Sequence, residues 1–467
     1  MKSSAVAFVS GLMLVTAGLA RGEGPADAPR PVPLTRPEMK QLIEDVKVRT
    51  PRIPLPELSE EDRRILGDEA DSYESVVRHA YLPWVAERRR AERGNSPSRS
   101  RSRSREQDPK MTLDYAFKTQ LFWIVSRVNN CQYCIGHQES KLLSAGLSEN
   151  EIASLDGDWS QHSPAERAAF AFARKLAHEP HEVSDADIGG LRDHFTDLQI
   201  LEMVVSISRN NISNRWKEAI GVPQRADEGG YSRSDDESKL PRGSYLTPTA
   251  PEHASLVSSV APVVFDKSTG KPTGLTICRR PALESPDQVE AALAAARDRQ
   301  PRLPLVDEAT ARQVLSQFAP QGPLPQWMRL LANFPKDGVE YTGTIVSADE
   351  KGELSPLLKA QLAWIIARQD RAWYALGQAQ RRLREQGQSD DQITALDGDW
   401  SGFTPREQSL FTVAKKLAAS PVVLTDRDVA WAVEAAGPRD VVQAIDYTDS
   451  RAFFNRVTEA AGLKLEE

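Results

Sequence analysis

The chain has 467 residues, a formal net charge of −7 and a hydrophobic fraction of 40%. This length exceeds what one hydrophobic core usually organises, so two domains are expected. The negative charge argues against a chain that binds nucleic acid as a whole. No internal run reaches the roughly 18 apolar residues that a membrane-spanning helix requires.

The first 35 residues differ in composition from the rest. Lys2 precedes an apolar segment from Ala5 to Leu19, and Ala17 to Ala20 form a small-residue cleavage site. This layout is typical of a secretory signal peptide, which we place at 1–22; an uncleaved membrane anchor is the alternative. Residues 23–35, rich in Pro and Ala, predict a flexible leader. We therefore expect an exported protein, periplasmic or extracellular, without a stable membrane span after cleavage.

The chain contains a long internal repeat. The hexapeptide that begins at Leu155 recurs 241 residues later at Leu396, and the pentapeptide at Pro51 recurs 250 residues later at Pro301. We place repeat one at 36–224, a linker rich in Gly, Ser, Pro and Asp at 225–284, and repeat two at 285–467. The nine extra residues of repeat one correspond to a Ser-Arg tract at 96–105. We interpret this tract as a solvated loop insertion, with contact to an anionic surface as the alternative.

Helical signals dominate both repeats and strand signals are nearly absent, so the predicted fold class is all-α. Tyr115 to Val128 has helical apolar spacing without Gly or Pro. We place Asn129 and Asn130 as caps of a second helix, which runs from near Cys131 to Gly146. Further helices are predicted after Ser148, from Ser163 to about His178, after Ser184, and from Asp197 to about Ser208.

Two of the three cysteines, Cys131 and Cys134, form one Cys-x-x-Cys motif, and His137 follows one helical turn later. Near a helix N-terminus the free backbone N–H groups and the macrodipole lower the pKa of a thiol. His137, three residues after Cys134, can accept its proton. This pattern indicates a redox dithiol, expected as a disulfide in an oxidising compartment unless a reductant reaches it. A passive disulfide and half of a metal site are the alternatives.

A family resemblance supports the redox interpretation. The segment from Ser126 to His137, followed by Ala145-Gly146-Leu147, resembles the carboxymuconolactone decarboxylase-like superfamily, specifically its alkylhydroperoxidase D-like branch. The segments beginning at Leu155 and Ser163 are similar to that family as well, and the resemblance covers most of both repeats. It implies a tandem duplication of an alkylhydroperoxidase D-like helical domain, in a chain that assembles as a homo-oligomer.

The resemblance also implies an activity. It is thiol-dependent reduction of a hydroperoxide, in which Cys134 attacks, Cys131 resolves the sulfenic acid as a disulfide, and an unidentified outside dithiol reduces it. The family's relay glutamate stands about twelve residues before the first cysteine; that position is Thr119 here, with Gln120 beside it. A hydroxyl or an amide can hold a water in line there. No cofactor and no metal are implied.

Two other functions compete with the peroxidase. The first is a non-enzymatic scaffold in which Cys131 and Cys134 form a locked disulfide and the two repeats provide an assembly surface. The second is a carboxymuconolactone decarboxylase-like lyase, which would leave the dithiol without a purpose.

Repeat two keeps the helical pattern and lacks the thiols. The counterparts of Cys131, Cys134 and His137 are, in that order, Ala372, Ala375 and Gln378. We interpret repeat two as a degenerate copy that packs against repeat one in place of a subunit; a vestigial copy without a role is the alternative.

Some residues recur in both repeats although only one repeat carries thiols. For Asp156, Asp158 and Trp159 we expect a structural role, with the carboxylates bonding backbone in a turn and the indole in the core. For Asn214 and Arg215 we expect packing or helix capping.

Overall fold

The computed structural model describes residues 28–33, 35–94, 108–157, 159–224 and 282–466, and only the backbone of 91–94. Over these ranges the protein is all-helical and contains no β-strand, which confirms the predicted fold class at that level. The predicted signal peptide, the Ser-Arg tract, Asp158, Cys278 and all of the linker except 282–284 lie outside the described residues. No helix within those ranges is both long enough and apolar enough to cross a bilayer.

Ten α-helices are described in the first half, 28–224. They are α1 (Arg36–Asp45), α2 (Glu60–Leu66), α3 (Tyr73–Tyr81), α4 (Pro83–Gly94), α5 (Tyr115–Asn129), α6 (Gln132–Ser144), α7 (Glu149–Ser154), α8 (Pro164–His178), α9 (Asp185–Arg192) and α10 (Asp197–Ile220).

Nine α-helices are described in the second half, 282–466. They are α11 (Pro286–Arg297), α12 (Glu308–Val314), α13 (Gln326–Leu331), α14 (Asp337–Glu350), α15 (Pro356–Asp370), α16 (Trp373–Glu385), α17 (Asp390–Thr394), α18 (Pro405–Ala418) and α19 (Asp426–Ala460).

Local capping chemistry sets where most helices begin. The side chains of Ser148, Ser163 and Ser184 each accept a hydrogen bond from the backbone N–H three residues ahead. The acidic side chain at that position accepts a second bond from the backbone N–H of the serine. Such capping boxes satisfy backbone donors that the first helical turn leaves open. These three helix starts were predicted from the sequence and are confirmed.

One predicted helix cap and one predicted helix end are wrong. Asn130, with a φ of 58°, is the left-handed C-cap residue of α5, and Cys131 itself is the N-cap of α6. Helix α10 continues beyond Ser208 to Ile220, where Gly221 (φ 71°) ends it. Asn210 and Asn211, in the part of α10 beyond the predicted end, are buried.

The two halves repeat one helix order. α15 and α16 begin and end 241 residues after α5 and α6, and α17 and α18 begin at the same interval after α7 and α8. α19 corresponds to α9 and α10 joined across a break at Gly437, whose φ is 81°. In the first half α5 packs against α6, α8 and α10; in the second, α15 packs against α16, α18 and α19.

The halves meet through α10 and α19, and their contacts are reciprocal. Arg52 Nε donates to Asp426 Oδ1 at 2.5 Å, and its counterpart Arg302 donates to Asp185 Oδ1 at 2.5 Å. Each arginine is also held within its own half, where the backbone N–H of Arg52 donates to the Ile220 carbonyl and that of Arg302 to the Ala461 carbonyl. The two ion pairs across the halves are reciprocal, as in a two-fold interface between like subunits, here within one chain.

A pair of buried arginines lies inside this interface. Arg215 donates to the carbonyl oxygens of Leu417 and Ala419, and its counterpart Arg456 donates to that of Ala177 at 2.9 Å. Both side chains are fully buried. The recurrence of Arg215 in both repeats thus reflects packing between the halves. Packing is one of the two roles that were predicted for it.

The described part of the leader is packed. Val32 is buried, the Pro33 carbonyl accepts from Arg127 Nη2 at 2.5 Å, and the Pro31 carbonyl accepts from Asn130 Nδ2 at 3.0 Å. Arg127 and Asn130, at the end of α5, thus provide donors for the carbonyl groups of this segment, while the flexibility of the leader stays a prediction.

The recurring Asp-Trp segment ties α5 to the turn that follows α7. Asp156 is buried and accepts from Arg127 Nε at 3.0 Å; Asp397 and Arg368 repeat this ion pair at 2.9 Å. Trp159 is buried, and its indole N–H donates to the Leu155 carbonyl. The predicted core position of the tryptophan is confirmed.

Candidate functional site

The two thiols stand at the start of α6 and are joined by a disulfide with a Cα–Cα distance of 5.2 Å. The left-handed turn at Asn130 directs the chain from α5 into α6 and places Cys131 at the N-cap. Cys131 Sγ accepts from the backbone N–H of Cys134 at 3.3 Å. Cys134 therefore lies in the first turn, where the positive end of the helix dipole favours a thiolate.

Cys134 lines a pocket to which Cys131 does not contribute. Cys131 is 0% exposed, whereas Cys134 is 5% exposed and lines a pocket of about 590 Å³. We call this cavity the Cys134 pocket. Its wall comes from five helices and Met111: Glu74 and Arg78 of α3; Tyr115, Lys118 and Phe122 of α5; Tyr133, Cys134, His137, Gln138 and Lys141 of α6; Ser206, Arg209, Asn210, Ser213, Asn214 and Lys217 of α10; Asp337 and Tyr341 of α14.

The second half contributes to this pocket through α14. Asp108, which is buried in the first half, accepts from the backbone N–H groups of Lys336 and Asp337 at 2.7 and 3.1 Å. Its carboxylate caps the start of α14 across the interface, where a negative charge is favoured. This cap fixes Asp337 and Tyr341 beside the pocket, so the site is built by both halves.

His137 shares the wall with Cys134 and stacks on Tyr133, with ring centroids 5.3 Å apart. Burial, together with the charges of Lys141 and Lys217, lowers the pKa of His137 to about 3. The imidazole is therefore neutral at physiological pH. It can accept a proton in passing but does not hold one, because an imidazolium there would be poorly solvated and close to two ammonium groups.

Sequence reasoning missed Glu74 and Lys217. Lys217 Nζ binds a carboxylate oxygen of Glu74 and lies 4.9 Å from the centre of the Tyr133 ring. Burial alone would raise the pKa of Glu74, but Lys217 and Arg78 lower it to about 2. A signal for Lys217 was present: its counterpart in repeat two is Thr458, so it changes along with the thiols.

The two predicted relay residues lie elsewhere on α5. Thr119 is buried and its hydroxyl donates to the Tyr115 carbonyl at 2.8 Å, while Gln120 is partly exposed. Neither belongs to the lining of the Cys134 pocket. Gln120 lies on a different face of α5 from Tyr115, Lys118 and Phe122, which line the pocket. Thr119 stands one turn after Tyr115, and its hydroxyl is already bonded to the Tyr115 carbonyl. The carboxylate that the structure does place on the pocket wall near His137 is that of Glu74.

The equivalent place in the second half is filled. A residual void of about 10 Å³ is lined by Ala363, Ala375, Gln378, Ala379, Arg382, Arg451, Phe454 and Asn455, and all eight have counterparts in the Cys134 pocket. Phe454 stands where the first half has Ser213, and Arg451 where it has Asn210. Two large side chains thus occupy the space that the first half leaves open.

The described residues give no support to the metal alternative. They contain no group of three or more His, Cys, Asp or Glu side chains placed to hold a metal ion. Cys131 and Cys134, two ligands of the half-site considered above, are bonded to each other.

Comparison of the chain with protein-family models and with curated proteins gave no match. The alkylhydroperoxidase D-like resemblance therefore depends on the residues of this sequence that carry it.

Proposed function

We propose that this protein is a thiol-dependent peroxidase that reduces hydroperoxides through a Cys131–Cys134 dithiol cycle. The observation that carries the proposal is the position of Cys134, which lies on the wall of a 590 Å³ pocket while its partner thiol is enclosed behind it. A nucleophile needs access to substrate, whereas a resolving thiol needs access only to the nucleophile.

The proposed cycle has three steps. The Cys134 thiol gives its proton to His137, and the thiolate attacks the distal oxygen of ROOH. An S–O bond forms, the O–O bond breaks, and the alkoxide leaves as ROH with the proton from His137. The Cys131 thiol then attacks the Cys134 sulfenic acid, so the disulfide forms and water leaves. An external dithiol restores both thiols and is itself oxidised.

The charges around Cys134 favour the first step. Lys141 and Lys217 lie close enough to His137 to lower its pKa, and the same positive charges stabilise a thiolate one turn away. A thiolate at Cys134 in turn lowers the free-energy cost of protonating His137. His137 is thus suited to pass the proton from thiol to leaving alkoxide, and no separate relay from Thr119 or Gln120 is required in this proposal.

We also propose that the chain is a tandem duplication of an alkylhydroperoxidase D-like domain. In support, the helices repeat at one interval, and the contacts between the halves are reciprocal. The second half has lost its thiols and filled its pocket, yet supplies α14 to the first half's site. It takes the place of a partner subunit, which accounts for the retention of a copy without chemistry.

The test uses full-length mature protein reduced with dithiothreitol, freed of reductant and mixed with cumene hydroperoxide. Peptide mass spectrometry should show a Cys131–Cys134 disulfide that forms at least about 100-fold faster than peroxide oxidises free dithiothreitol. Cys131→Ser should stop at a Cys134 sulfenic acid that dimedone traps, and Cys134→Ser should not react. A rate equal to that of free thiol would exclude the peroxidase and leave the scaffold with a passive disulfide.

A second variant tests whether substrate reaches Cys134 through the pocket. Ser213→Phe introduces the residue that fills the corresponding space in the second half, and should slow peroxide reduction about 10-fold or more because access to the sulfur is blocked. Ser213→Ala is the matched control and should keep the wild-type rate. Equal rates in both variants would show that peroxide reaches Cys134 by another route.

A further inference from the structure

The Cys134 pocket is far larger than hydrogen peroxide needs. Its volume of about 590 Å³ lies in the range of pockets that bind drug-sized organic ligands. Its apolar wall includes Met111, Phe122 and the rings of Tyr115 and Tyr341. The Tyr115 side chain is 50% exposed. The pocket therefore suits a substrate with an apolar body.

The same pocket has an excess of positive charge. Arg78, Lys118, Lys141, Arg209 and Lys217 line it, against the carboxylates of Glu74 and Asp337. Some of this charge is neutralised from within the protein. Lys118 pairs with buried Glu202 at 2.8 Å, and Glu74 is shared by Arg78 and Lys217.

Arg209 is available to a ligand in a way that those buried pairs are not. Its partner Glu340 is on α14, at 3.1 Å, and the two side chains are 43% and 47% exposed. An ion pair of that exposure contributes only about 0–1 kcal/mol. Arg209 also lies above the Tyr341 ring, with 5.6 Å to its centroid. A guanidinium held on a ring next to an apolar wall is arranged to bind a carboxylate.

We propose that the substrate of this site is an organic hydroperoxide that carries a carboxylate, which Arg209 binds at the pocket mouth while the apolar body lies against Tyr341. The inference rests on the proposed peroxidase function and adds the substrate class. The carboxylate takes no part in the redox step: the O–O bond is cleaved at Cys134 as described, and the acid leaves as the corresponding hydroxy acid.

The test compares two probes of nearly equal size, cumene hydroperoxide with a para carboxylate and its methyl ester. With reduced full-length protein, the second-order rate constant for the acid should exceed that for the ester about 10-fold, and the excess should shrink as salt is raised because the attraction is electrostatic. Arg209→Gln should remove the excess, so that the rate constants for acid and ester become equal. Glu340→Gln, which removes the competing carboxylate, should increase it.

Arg439→Gln is the matched control. Arg439 pairs with Glu353 at 2.8 Å, the two side chains are 49% and 53% exposed, and neither lines the pocket. This variant should keep the wild-type ratio of acid to ester. Equal rate constants for acid and ester in the wild-type protein, or a preference that survives Arg209→Gln, would overturn the inference while the peroxidase stands. Failure of both probes to oxidise the dithiol would instead contradict the proposed function.

Discussion

His137 shows how a residue chosen from spacing acquires its character from its surroundings. Its position one helical turn after Cys134 led to the prediction that it acts as a base. In the folded protein, burial and the ammonium groups of Lys141 and Lys217 lower its pKa to about 3. In the proposed cycle such a histidine passes a proton on without retaining it, and the lysines and the start of α6 are the groups that would stabilise the thiolate.

This environment predicts a pH dependence of stability. The pKa of His137 falls from an ordinary value of 6.5 to about 3 on folding, so between these values the unfolded chain binds a proton that the folded chain does not. The contribution of the neutral His137 to the free energy of unfolding is fully present above pH 6.5. It is lost as the pH falls toward 3, by at most about 1.4 kcal/mol per pH unit. His137→Gln, the residue of the second half, should therefore flatten the acid side of the stability curve.

Urea unfolding of the oxidised protein at pH values from 7 to 4 measures this effect. The free energy of unfolding of the wild type should decline more steeply than that of His137→Gln. His194→Gln, which replaces an exposed histidine outside the pocket, is the control for loss of an imidazole as such. Parallel curves for wild type and His137→Gln would show that the buried imidazole does not govern acid stability.

At the level of elements, the halves differ most where α9 and α10 become α19. The first half separates its two helices by a short connection, whereas in α19 the two segments are joined at Gly437, with φ 81° and ψ 154°, followed by Pro438. That backbone conformation belongs almost entirely to glycine, because a Cβ would clash with the neighbouring peptide groups. The direction of the long interface segment thus depends on one glycine.

Gly437→Ala should lower the free energy of unfolding by about 1–3 kcal/mol, since the alanine must adopt a strained conformation or shift the following helix. Gly189→Ala, inside α9 with open space around the new methyl group, is the matched control and should raise stability by roughly 0.5–1 kcal/mol. Urea denaturation measures both. An increase in stability for Gly437→Ala would show that the backbone at this position is not constrained.

At the level of the whole molecule, the interface between the halves contains two buried arginines in place of a purely apolar seam. Arg215 and Arg456 bind carbonyl oxygens of the opposite half. Burial and the nearby charge of Arg456 lower the pKa of Arg215 to about 9. Such groups specify one docking geometry, because any other arrangement would leave charges and carbonyl groups buried without partners.

Arg215→Ala and Arg456→Ala should each destabilise the protein by at least about 2 kcal/mol, through unsatisfied carbonyl groups and a cavity at the interface. Arg384→Ala removes a half-exposed arginine that pairs with Asp390, and should change stability by less than about 0.5–1 kcal/mol. Chemical denaturation followed by tryptophan fluorescence measures all three. If Arg215→Ala and Arg456→Ala changed stability as little as Arg384→Ala does, the two arginines would not hold the halves together.

The sequence by itself determined the local features of this protein. The caps at Ser148, Ser163 and Ser184 and the apolar spacing of α5 depend on residues within a few positions of one another, so the helices could be predicted. The repeat at an interval of 241 residues was equally visible in the chain. The pairing of thiols and histidine followed from helical spacing, and their prediction as a redox site stays a prediction until the dithiol is assayed.

The tertiary structure alone decided what surrounds Cys134. Glu74, Lys217 and Tyr341 reach the pocket from α3, α10 and α14, which lie far apart in sequence, and no local pattern brings them together. The extent of α10 was also underestimated, because its polar residues are bonded to distant parts of the chain: Asn210 and Asn214 to α5, and Arg215 to the segment after α18. Spacing along the chain specifies which side chains share a helix face, whereas the packing of distant helices decides which of those faces enclose a cavity.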